Sequence, residues 1–130
     1  MWSLPIKKII LFSSIMLYIS SFCYSQNKEE IQIFFKEQSA NILALAHENS
    51  TLKSSEVEVT ESDDSEFDYK VIMIINYKGF FKNHILKCYI YFEDYPREFI
   101  WGTDTNSFDI NNSPEVVLED LKDKWSKYGY

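Results

Sequence analysis

Phe67-Asp68-Tyr69-Lys70-Val71-Ile72-Met73-Ile74-Ile75-Asn76-Tyr77 is the stretch whose period decides the fold. Every odd position in it is apolar or aromatic, a period of two that marks a strand with one continuously buried face. The run from Phe80 to Phe92 carries its apolar series on even positions, at Leu86, Cys88, Ile90 and Phe92. Between the two, Lys78-Gly79 predicts a two-residue hairpin turn in which Gly79 supplies a positive φ. That turn sets Val71 opposite Leu86, Tyr69 opposite Cys88 and Phe67 opposite Ile90, so both buried series share one face. A slip of one residue would destroy the match.

Working outward, Asp94-Tyr95-Pro96-Arg97 predicts a turn into a further strand from Arg97 to Thr103. Phe92 then pairs with Phe99, and Ile90 with Trp101. Before the hairpin, Glu56-Val57-Glu58-Val59-Thr60 alternates as an edge strand whose outward carboxylates discourage edge-to-edge association. From Lys28 to about Asn49 the apolar residues Ile31, Phe34, Phe35, Ile42, Leu45 and Ala46 recur at helical spacing, with Gln38 and Asn49 on the same stripe. This predicts one helix of about six turns. Glu29 and Glu30 suit its first turn, and Asn49, Ser50 and Thr51 end it. Residues 102–113 are polar and turn-forming. Ser113-Pro114-Glu115 then gives an N-cap, a proline at the first helical position and an early acid. The helix they open has Val117, Leu118, Leu121, Trp125 and Tyr128 on its apolar stripe. The sum is an α+β domain: an N-terminal helix, a four-stranded antiparallel meander and a C-terminal helix, with the helices packed on one sheet face.

This order of elements is similar in architecture to cystatin-like and β-lactamase-inhibitor-like domains. The similarity is one of element order alone. It implies no activity and no site residue, because one fold hosts many functions.

At the amino terminus Lys7 and Lys8 precede 14 uncharged, mainly apolar residues, Ile9 to Phe22. This is the layout of a secretory signal peptide. As a helix the run rises about 21 Å, short of the roughly 30 Å hydrocarbon slab, so no stable membrane span is expected in the mature form. Cys23-Tyr24-Ser25 places small residues one and three positions before a cut after Ser25. A lipoprotein would need a small residue before Cys23, where Phe22 stands. The expected organisation is a signal peptide over 1–25 and a single domain over 26–130, periplasmic or secreted. With Lys7 and Lys8 removed, 11 basic residues face 20 acidic ones, a net charge of −9. Such acidity argues against nucleic acid, which is held by a Lys/Arg face, and against anionic lipid. It would steer a basic partner towards the surface, and it also serves solubility. Only Cys88 remains, so packing rather than an internal disulfide must supply stability. Lys outnumbers Arg 12 to 1, and Ile, Asn, Phe and Tyr are plentiful, the bias expected of an AT-rich genome, which together with the leader suggests a bacterium.

Catalytic ingredients are sparse. The two histidines are His47 and His84, and His84 shares a strand face with Cys88. Four residues of strand hold that pair about 13 Å apart, beyond hydrogen-bond reach. No serine lies in a Gly-x-Ser-x-Gly elbow, and three glycines in all leave no phosphate-cradling loop. No Cys/His cluster has zinc spacing, so neither a metal nor a cofactor is expected. The acidic segments 61–66 and 104–112 carry the hard oxygen ligands that calcium prefers. Both lack the glycine and terminal glutamate of an EF-hand loop, and a solvated turn is the simpler reading.

The outward sheet face is more informative. Its positions include Ile72, Ile74, Phe81, Ile85, Tyr89, Tyr91 and Ile100, interleaved with Asp68, Lys70, Asn76, Lys87 and Glu98. In the expected register Ile72 meets Ile85 and Tyr91 meets Ile100. An apolar, aromatic centre with charges around it has the anatomy of an interface. It would equally serve as a second core beneath a helix or loop, or as a small-ligand groove. The leading expectation is an exported, non-enzymatic module that binds a protein or a second copy of itself through this face, as an inhibitor or immunity-type factor would. A carrier holding a small apolar ligand between helix and sheet, through Tyr69, Met73, Leu86, Phe92 and Trp101, is the alternative. A small hydrolase stands third.

Overall fold

The computed structural model describes residues 28–79, 81–102 and 110–128. The chain divides into two compact units, Met1–Ile31 and Gln32–Tyr130, and residues 28–31 are the described part of the first. The leader expected over 1–25, with its cut after Ser25, lies outside the described residues. Residues 28–37 are helical (α1), and helix α2 follows at Ser39–Ala46. Then come strands β1 (Thr51–Glu61), β2 (Tyr69–Lys78), β3 (Asn83–Glu93) and β4 (Tyr95–Trp101), and helix α3 (Pro114–Ser126). The sheet order is β1-β2-β3-β4 with every pair antiparallel, the expected meander in an α+β fold.

The registers differ from expectation while the faces hold within the strands; Phe67, expected on the buried face opposite Ile90, instead precedes β2 and packs on Tyr91 of the outer face. Val71 lies opposite Ile90, Tyr69 opposite Phe92 and Ile75 opposite Leu86. The hairpin loop is residues 79–82, closed by the Gly79 N–H donating to the Lys82 carbonyl at 2.9 Å, rather than Lys78-Gly79 alone. Alternation fixes only parity, so a shift by an even number keeps both buried series on one side. In β3 and β4, Ile90 meets Phe99 and Cys88 meets Trp101, with an irregularity between Tyr91 and Phe92. β4 starts at Tyr95 instead of Arg97 because Asp94 makes the turn by itself, at φ 64°. Aspartate is one of the few residues that visits this left-handed region readily. β1 extends well beyond 56–60, with an irregularity between Leu52 and Ser54.

The expected long helix is broken at Gln38 and ends at Ala46, before Asn49. Its final carbonyls are satisfied from far along the chain. Asn112 Nδ2 donates to the Leu45 carbonyl at 2.6 Å, and the Asn111 N–H donates to that of Ala46 at 2.8 Å. These bonds fill acceptors that a helix end otherwise leaves open. The break also moves the buried stripe from Gln38 and Leu45 onto Ser39 and Leu43. α3 begins as its sequence predicts. Ser113 Oγ accepts from the Val116 N–H, Pro114 follows, and Val117, Leu121 and Trp125 are buried.

All helices of the second unit cover the inner sheet face. Trp125 packs edge-on against Phe34 of α1 and Phe92 of β3, with both pairs of ring centroids 5.0 Å apart. Its indole N–H donates to the Asp94 carbonyl at 3.1 Å, locking α3 onto the β3–β4 turn. Ser39 Oγ donates to Ser55 Oγ at 2.8 Å, fixing α2 to β1. Val71, Met73, Ile75, Leu86, Cys88 and Ile90 fill the centre without solvent contact.

One polar clasp makes stability depend on pH. Asp120 of α3 accepts from Asn41 Nδ2 at 2.6 Å and from Lys124 Nζ at 2.7 Å. Burial alone would raise its carboxyl, but the hydrogen bonds from Lys124 and Asn41, with the ammonium charge, outweigh burial and hold it below its ordinary value. A carboxyl depressed by folding stabilises above its unfolded pKa, about 3.9, and that contribution is lost as pH falls through the folded value. Asp120→Asn is therefore expected to flatten the fall in melting temperature below about pH 4 relative to the parent, as differential scanning fluorimetry would show. Identical pH profiles would remove the clasp from the account.

Candidate functional site

Strand pairing lays the outward side chains out in rows. The central row is Glu58, Ile72, Tyr89 and Ile100. On one side lies Thr60, Lys70, Tyr91 and Glu98, and on the other Glu56, Ile74 and Lys87. Beyond these, Ser54, Asn76 and Ile85 form a row at the hairpin end. Ile72 therefore meets Tyr89, not Ile85, and Tyr91 meets Glu98, not Ile100. This pairing gathers Ile72, Ile74, Tyr89, Tyr91 and Ile100 into one contiguous patch. Ile85 stands one row away, 51% exposed, and Phe81 belongs to the 79–82 loop rather than to the strand.

None of these seven residues is buried. Ile100 is 46% exposed, and Ile72, Ile74, Tyr89 and Tyr91 are half-buried by their own neighbours. Lys70 Nζ lies 5.2 Å from the Tyr89 ring centroid and 5.8 Å from that of Tyr91. An ammonium at that range is attracted to the ring faces and holds both tyrosines in place. Phe67, from the β1–β2 turn, packs on Tyr91 at 5.2 Å between centroids. At the β4 side Gly102 closes on Lys87, where a Cβ would stand 2.5 Å from the lysine Cβ. No larger residue fits there without moving the backbone.

The residues considered for chemistry are placed apart. Cys88 lies opposite Met73 and His84 opposite Tyr77, with the Leu86–Ile75 row between them. Burial pushes the Cys88 thiol up, away from the reactive thiolate. The histidines instead both stack on one tyrosine: His47 lies 5.2 Å and His84 5.3 Å from Tyr77 between ring centroids. Sequence spacing gave no sign of this stack, because the expected register set His84 opposite Met73. In the acidic turn the Ser62 and Asp64 side chains accept from the N–H groups of Asp64 and Glu66. Among the described residues no three carboxylate, imidazole or thiol groups converge as metal ligands, and residues 103–109 lie outside the described residues. The side chains considered for a carried ligand sit in the packed interior, with Tyr69, Met73, Leu86 and Phe92 no more than 5% exposed and Trp101 half-buried. No described helix is long and apolar enough to cross a membrane.

A second feature has no counterpart in the sequence pattern. Helix α1 and the outer edge of β1 border a groove of about 590 Å³ whose walls include Ile33, Lys36, Glu56 and Val57. Gln32 Nε2 reaches from α1 to the Val57 carbonyl at 2.9 Å, and Lys36 Nζ donates to the carbonyl of Ser55.

No family model, curated protein or solved structure matches this chain significantly. The functional reading therefore rests on the chain's own surfaces.

Proposed function

We propose that this protein is an exported, non-enzymatic module that binds a basic protein through the outer face of its sheet, as an inhibitor or immunity-type factor does. The observation that carries the reading is the unburied row Ile72, Tyr89 and Ile100, backed by Ile74 and Tyr91 and rimmed by Glu56, Glu58 and Glu98 together with Lys70 and Lys87. An apolar, aromatic centre within a charged rim is how protein interfaces are built. A formal net charge of −7 over the chain, with three carboxylates against two ammonium groups around the row, favours a partner of opposite sign. Export rests on the leader pattern of residues 1–25, and among the described residues Cys88 is buried with the Leu86–Ile75 row between it and His84, which supports binding over catalysis.

Tyr91→Ala and Ile85→Asp test the face. Each is expected to weaken capture of the partner from extracts of the source cell by about tenfold, the cost of removing one good interface contact. Circular-dichroism melts should stay within a few degrees of the parent, because neither side chain belongs to the inner core. The supporting result is a basic protein retained by the parent and lost by both variants. Equal retention by all three chains would dispose of the proposal. A collapsed melt would show that the side chains serve as core.

A further inference from the structure

Among the described residues no strand pairs with the outer edge of β1, which offers a second, chemically distinct surface. In an antiparallel ladder the N–H and C=O of one residue point to the same side, and successive residues alternate sides. The Gly79 N–H to Lys82 carbonyl bond makes residues 79 and 82 a hydrogen-bonded pair, so the odd residues of β2 bond to β3 and its even residues bond to β1. In β1 the even residues Glu56 and Glu58, opposite Ile74 and Ile72, therefore face β2 with their backbone groups. Ser55, Val57 and Val59 point theirs outward. The side-chain donors on the Ser55 and Val57 carbonyls agree, since both come from the open side.

We infer that this edge accepts an extended, basic segment of another protein as a fifth strand. Backbone donors at Val57 and Val59 and the acceptor at Val59 are turned towards it, and Gln32 and Lys36 occupy two further acceptors through exposed side chains that a strand can displace. Strand addition of this kind draws its affinity from main-chain hydrogen bonds and its selectivity from alternate side chains. Residues placed across from Glu56 and Glu58 would share the outer face with those carboxylates, so Lys or Arg is preferred there. Residues between them would point inward over Val57 and into the groove beside Ile33, which suits an apolar side chain. A second copy of β1 is the wrong occupant. Pairing centred on Val57 would set Glu56 against Glu58 of the other copy twice over, and like charges directly opposite destabilise a sheet.

The inference does not rest on the outer-face proposal, since it uses backbone atoms at the edge rather than the side chains of Ile72, Tyr89 and Ile100. The probe is a short peptide of alternating Lys and Val, added to the whole protein and followed by amide NMR. The expected result is slowed hydrogen exchange at the Val57 and Val59 amides. Affinity should drop at least about tenfold for the variant carrying both Glu56→Lys and Glu58→Lys, and for a peptide N-methylated on its pairing edge. Tyr91→Ala should bind the peptide like the parent, which separates this surface from the other one. Should Val57→Pro fold, it offers a further check, because the outward N–H it removes is not part of the β1–β2 ladder. Absence of binding, insensitivity to N-methylation, or shifts centred on Tyr89 and Ile100 would each overturn the inference.

Discussion

Replacing Trp125 by alanine is expected to lower the unfolding free energy by about 3–5 kcal/mol, the range for deleting a large buried aromatic. Trp125 is 7% exposed and joins three parts of the second unit. Its ring forms T-shaped pairs with Phe34 and Phe92 and stacks on Tyr128 at 5.9 Å, while its N–H holds the Asp94 carbonyl. Asp94 is the one described non-glycine residue at positive φ, so the indole also steadies the tight turn that starts β4. Trp125→Phe keeps most of the aromatic contact and forfeits the hydrogen bond, for which about 1 kcal/mol is the usual net value. Urea denaturation of both variants should therefore separate packing from hydrogen bonding. If Trp125→Ala cost no more than Trp125→Phe, the indole would not be the keystone described.

A larger effect is expected at Leu86, which makes no solvent contact on the inner face opposite Ile75. Leu86→Asp buries a carboxylate with no cation beside it, a change that costs several kcal/mol and is a large part of the about 5–15 kcal/mol that holds a typical domain together. No cooperative thermal transition should survive. Ile85→Asp, one position earlier on the opposite face, should melt almost as the parent does. The contrast between adjacent residues tests the assignment of faces independently of any partner. Similar losses for the two would mean that the outer face is packed as tightly as the inner one.

Such contrasts show which parts of the fold can be read from residue order. Period-two alternation identified β2, β3 and the face of each residue within them, because burial of one side imposes it directly, but it carried Phe67 onto the buried face although the strand begins only at Tyr69. It could not fix the register, since Val71 opposite Leu86 and Val71 opposite Ile90 satisfy the same parity. Loop length decides between them, and contacts flanking the 79–82 loop, such as His84 on Tyr77, depend on the register itself. The end of α2 was equally illegible. Its caps, Asn111 and Asn112, lie more than 60 residues away, and local propensity favoured a stop at Asn49. Five of the seven outer-face residues form the patch that alternation implied. Ile85 and Phe81 moved because their position depended on the hairpin loop. The groove beside β1 left no trace in the pattern, since it arises where a helix passes a strand edge.

The meander has a consequence for how the protein assembles. Each strand pairs with its neighbour in sequence, so closing the sheet needs only short excursions of chain and little loop entropy. Contacts that bridge long separations, Phe34 with Trp125 and Ala46 with Asn111, are the expensive ones to form. Injury to that aromatic bridge should consequently hasten unfolding more than it delays refolding, making Trp125 a governor of the native state's lifetime.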